Sequence, residues 1–180
     1  MTTLWIILGI LALYVVFTYN GLIARRNQAR EAWATIDTQL KRRYDLIPNL
    51  LESVKGAAKH EKETLDAVIS ARNAAMSAHG AADKGAAENA LSGALKNIFA
   101  LAESYPNLKA NENFLELQRE LADTETKIQA TRQFYNTVVM GLNTAVEQFP
   151  TNLIANMFGI GKEKLFEIDE AERKAPKVQF

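Results

Sequence analysis

The chain has 180 residues, 48% of them apolar, and 21 Lys plus Arg balance 21 Asp plus Glu, which argues against nucleic-acid binding because phosphate neutralisation needs a basic excess. The absence of cysteine excludes disulfides, thiolate metal sites, a cysteine nucleophile and a lipidated cysteine. With only 9 Gly and 4 Pro, long helices are favoured over many short strands, and the length suits one soluble domain beside a membrane segment.

From Leu4 to Ala24 the sequence LWIILGILALYVVFTYNGLIA carries no charge. About 21 residues at roughly 1.5 Å each span roughly 31 Å, the thickness of a bilayer core. The strictly apolar part ends at Phe17, and Leu4, Trp5, Phe17 and Tyr19 are the expected anchor residues, with Trp5 and Tyr19 suited to the two interfaces. MTTL lacks the basic start of a signal peptide and no A-x-A cleavage site follows, so a retained anchor is expected. Arg25, Arg26 and Arg30 lie just after the span, which predicts an N-terminus outside and a bundle in the cytoplasm, on a bacterial inner membrane.

Beyond the anchor, Trp33, Leu40, Ile47 and Val54 recur every seven residues, beside Ala29, Ile36, Leu50 and Ala57, as on a helix buried along one stripe. Pro48 predicts a kink near Ile47, not an end, because the rows continue past it. A second helix is expected from about residues 59–61, carrying Leu65, Val68, Ile69, Ala75 and Met76. Gly80 and Gly85 predict a break in HGAADKG, and periodicity resumes from Ala87 through Leu91, Leu95, Ile98 and Ala102 before Pro106 disfavours helix at Tyr105. The clearest row is Phe114, Leu121, Ile128, Tyr135 and Leu142, a coiled-coil-like seam of about 35 residues capped at Asn111 or Asn113 and closed by Phe149-Pro150.

The predicted fold is therefore all-α: a single transmembrane helix (1–24), an antiparallel bundle of three to four helices (25–158) and a charged tail (159–180) whose last part is mobile or docked on a partner. Leu153, Ile154, Met157 and Phe158, apolar and clustered after Pro150, are the candidate contacts of a homo-oligomer.

No catalytic, cofactor-binding or metal-binding residue is assigned. His60-Glu61 opens an HExxH pattern, but Thr64 stands where the second histidine is needed. His79 is the other histidine, and no GxSxG, P-loop or GxGxxG occurs. Arg43, in the row of Ile36 and Leu50, and Arg72, after Leu65, Val68 and Ile69, are expected to be partly buried. Pairing with carboxylates such as Glu120 or Glu125 is preferred over a ligand or partner site. Asn136 and Asn143, seven apart, are either polar core groups that set register or surface residues.

The segment RRYDLIPNLLESV at 42–54 and YPNLKANENF at 105–114, within WATIDTQLK…HEKETL, ARNAA, the long third helix and FPTNLIANMFG, resemble the LemA family in order and spacing over nearly the whole chain. That resemblance implies an N-terminal anchor, a helical-bundle domain and no established catalytic residues. It also suggests a membrane-embedded metalloprotease as a partner, because such a protease is often encoded beside family members. Some members are lipoproteins, from which this cysteine-free chain departs. The expected function is a membrane-anchored interaction or scaffold protein that self-associates and has no catalysis of its own. Its rivals are an adaptor or regulator of a membrane protease and a hydrolase using clustered carboxylates.

Overall fold

A computed structural model describes residues 1–57 and 61–166. They form helices α1 (Thr2–Ala57), α2 (Lys62–Ser77), α3 (Ala81–Glu103), α4 (Pro106–Lys109), α5 (Glu112–Glu147) and α6 (Thr151–Met157), with no strand among them. His60 and the tail from 167 onward lie outside the described residues.

The chain divides into two compact units, with α1 and α5 contributing to both. One comprises residues 1–35 and 131–165. Its α1 portion begins with side chains that pack on nothing: Trp5 is 71% exposed and Phe17 72%, and Leu4 is also exposed. Thr2–Gly56 contains the one helix among the described residues long and apolar enough to cross a membrane. Burial starts at Leu22 and continues through Ala29 and Ala32, with Tyr135, Val139, Leu142, Ile154, Ala155 and Ile160 completing this core. Trp33 is half-buried and meets the Tyr135 ring edge-on at 5.4 Å. Residues 159–165 are held along α5. Tyr135 donates its hydroxyl to the Lys164 carbonyl at 2.9 Å, and the Asn143 amide exchanges two hydrogen bonds with the Glu163 main chain.

The second unit holds residues 36–130 and resumes at Phe166, which is fully buried. Ile36, Leu40, Ile47, Leu50 and Val54 of α1 are buried with Leu65 and Val68 of α2, Leu91, Leu95 and Ile98 of α3, and Phe114, Leu121 and Ile128 of α5. Each such aliphatic side chain contributes about 1.5–3 kcal/mol on leaving water. Ile69 and Met76, read with the apolar residues of the second helix, point outward.

Local chemistry sets the boundaries. Pro48 sits inside α1 and does not end it. The chain reverses between α2 and α3 at Gly80, whose φ of 79° is open to glycine at little cost. This break is shorter than the glycines suggested: α3 already starts at Ala81, and Gly85 is buried inside it. Pro106 opens α4, where its missing N–H has no helical partner to lose. Asn111 caps α5, its Oδ1 accepting from the Phe114 N–H at 3.1 Å.

Candidate functional site

Two features of the second unit combine side chains distant in sequence: a pair of open clefts and a buried polar network.

The clefts adjoin and share Ser53. One, of about 360 Å³, runs between Leu46, Asn49 and Ser53 of α1 and Asn113, Glu116, Leu117 and Glu120 of α5. The other, of about 430 Å³, lies between Ser53 and Gly56 near the end of α1 and Tyr105, Pro106, Asn107, Leu108 and Asn111. Pro106 and the Asn111 cap position this wall, because they fix where α4 starts and α5 begins. Tyr105 donates its hydroxyl to Glu61 at 3.0 Å, and that bond pushes the phenol pKa up. Ser53 donates to the Asn49 carbonyl at 3.0 Å. A side chain on Gly56 would meet nothing within 4 Å, so the cleft is open at that point. The lining is rich in amides, which both donate and accept hydrogen bonds without carrying charge. RRYDLIPNLLESV and YPNLKANENF thus face each other across these clefts.

The buried network centres on Arg43, only 3% exposed. Its Nη1 lies 3.3 Å from Glu88 and 2.9 Å from Glu125, and its Nη2 donates to Ser92 Oγ at 2.7 Å. Tyr44 donates to Glu88 Oε1, and its hydroxyl oxygen also lies 3.3 Å from the Ala75 carbonyl. Burial raises the Glu88 carboxyl pKa, opposed by the Tyr44 hydrogen bond and the Arg43 charge. Burial, then Glu88, raises the Tyr44 phenol, which stays a protonated donor and is no nucleophile at neutral pH. Among the described residues each charge here has a partner, and the arrangement joins α1, α2, α3 and α5. A cavity of about 220 Å³ lined by Lys96, Phe99 and Gln129 opens beside Arg43 and Glu125.

Of the carboxylates expected to pair with the buried arginines, Glu125 meets Arg43, whereas Glu120 lies 3.9 Å from Arg42. Arg72 pairs with no carboxylate among these contacts; its Nε donates to the Tyr44 carbonyl at 2.9 Å. Sequence reasoning missed Glu88 and Tyr44. Glu88 had a signal, because it lies in the stripe Ala81, Gly85, Glu88, Leu91, Leu95 that α3 buries.

The remaining predicted residues lie in the first unit or along the core rows. Arg25 is exposed and donates to the Gly141 carbonyl at 3.5 Å, Arg26 is half-buried, and Arg30 is exposed. Leu40, Ile47, Val54, Phe114, Leu121, Ile128, Tyr135 and Leu142 are all buried. The proposed oligomer cluster needs one correction. Ile154 is only 5% exposed and packs within its own unit, because α6 turns that side inward, while Leu153, Met157 and Phe158 are exposed. Among the described residues no group of three or more His, Asp or Glu is placed to hold a metal.

The model of the LemA family matches residues 32–180. A curated relative, Protein LemA of Metamycoplasma hominis, is 28% identical over 170 residues, covering 92% of this chain and 76% of that protein.

Proposed function

This chain belongs to the LemA family, and from that premise we propose that it is a single-pass membrane-anchored interaction protein that binds other proteins without catalysing a reaction. The observation that carries this reading is the pair of amide-rich clefts, which bring two stretches that carry the family resemblance together on an open surface. Unburied apolar side chains from Leu4 to Phe17 support the anchor, since lipid is the solvent that accepts such a surface. The positive residues after the span support an N-terminus outside and a bundle in the cytoplasm, in a bacterial inner membrane. Self-association belongs to the same reading, because confinement to a membrane raises the effective concentration of neighbouring copies.

Gly56→Leu tests the binding role. It fills open space, and the loss of a helix glycine favours folding. A photo-crosslinker at Asn107 in native membranes should give a discrete adduct that Gly56→Leu removes while the melting temperature holds or rises. An unchanged adduct pattern would exclude the clefts as the binding surface. A reporter after Phe180, active only when exported, would reverse the orientation.

A further inference from the structure

We propose that the α5–α6 turn and α6 form a second membrane contact, with Phe149, Leu153, Met157 and Phe158 entering the interfacial layer of the leaflet from which α1 emerges. This rests on α1 spanning the bilayer. The four side chains are 79%, 58%, 73% and 48% exposed, whereas Ile154 and Ala155 are 5% and 0% exposed. The turn and short helix therefore have a side packed on protein and an apolar side that protein leaves largely uncovered.

The depth of that apolar side follows from one contact. Phe158 packs on Tyr19, ring centroids 4.5 Å apart. Tyr19 lies inside the uncharged run that ends at Ala24, about 7 Å short of its end at about 1.5 Å per residue. A ring stacked on Tyr19 sits at the depth of Tyr19, where a bilayer core gives way to headgroups. Val15, Thr18 and Tyr19 are already half-buried, so protein contact with α1 begins before the apolar run finishes. The sequence of α6, TNLIANM, carries no charge that would resist this placement. Arg25, beside Gly141, is a cation in the same unit that anionic headgroups attract. Lipid is present at that level in any case, whereas a second copy of the chain would have to displace it.

The absence of cysteine allows a direct test. Full-length Leu11→Cys, Met157→Cys and Glu31→Cys proteins each take one environment-sensitive fluorophore and are reconstituted in vesicles of phosphatidylcholine and phosphatidylglycerol containing nitroxide lipids. The deep nitroxide should quench the Leu11 label, the shallow nitroxide should quench the Met157 label, and the Glu31 label should respond to aqueous iodide only. Quenching at Leu11 with a Met157 label that behaves like Glu31 would overturn the second contact and leave the anchor standing. No lipid quenching at Leu11 would instead refute the spanning helix. A Met157 label shielded from iodide, untouched by nitroxide lipids and joined between chains by thiol crosslinking would give the surface to a second copy and overturn the proposal.

Discussion

The Nε of Arg72 donates to the main-chain carbonyl of Tyr44 at 2.9 Å. In an α-helix that carbonyl would accept from the residue four positions on, which here is Pro48 and has no N–H to give. A side chain from α2 thus satisfies the acceptor that the proline leaves unpaired in α1. Arg72→Ala should cost about 1.5–3 kcal/mol, as for a hydrogen bond from a charged donor. In a Pro48→Ala background the helix supplies its own donor, and the cost of Arg72→Ala should shrink. Denaturation of the four proteins of this cycle measures the difference; equal costs in both backgrounds would disconnect the two residues.

Glu88 should make stability depend on pH. Its folded-state pKa is raised above the ordinary 4.5, chiefly by burial, while Arg43, Lys84 and Tyr44 lower it and Glu125 raises it. The folded state then holds the proton more readily than the unfolded chain. This contribution favours folding increasingly as pH falls through the raised value towards 4.5, and is lost as pH climbs back. Glu88→Gln cannot titrate, so the stability difference between wild type and variant should move in favour of wild type on acidification. A difference independent of pH across that window would mean that Glu88 titrates normally.

Removing the cation from this network should be more harmful than removing an ordinary surface charge. Arg43→Ala leaves buried Glu88 with the Tyr44 hydroxyl and the Lys84 charge as its favourable neighbours among the described residues, and a broken buried pair costs about 3–5 kcal/mol. Arg42→Ala, at an exposed and longer pair, should cost less than about 1 kcal/mol. Chemical denaturation in detergent compares them, and similar losses would contradict the role given to Arg43.

Leu121→Ala and Ile128→Ala should each destabilise by about 2–5 kcal/mol, because both side chains are buried and their surroundings relax only partly around the cavity left behind. Glu116→Ala and Gln129→Ala, exposed on the same helix, should stay within about 0.5 kcal/mol. Circular dichroism during denaturation distinguishes the two pairs. Comparable losses at all four positions would refute the register of α5.

The sequence made long-range periodicity and local capping readable. Seven-residue rows over 36 residues define α5, and the Asn111 cap is visible three residues before the Phe114 amide it accepts from. Arg43 announced its burial by standing in the row of Ile36 and Leu50, but its partners come from α3 and α5, and a row on one helix does not say which residues of another will face it. The freed Tyr44 carbonyl was likewise implied by Pro48, whereas its donor, 28 residues further on, was not. The clefts depend on how the end of α1 approaches the segment around Asn107, which no local pattern encodes. In α6 seven residues are too few for a period, so Ile154 could not be separated from its exposed neighbours.

In the second unit, Ser53 and Gly56 near the end of α1 form one wall of a cleft, and a helix sets the direction of each such position by its twist. Each residue of an α-helix turns the chain by about 100°, so one residue inserted between Ser53 and Gly56 would rotate Gly56 out of that wall. Seven inserted residues, close to two full turns, would nearly restore its direction while carrying it about 10 Å along the helix axis.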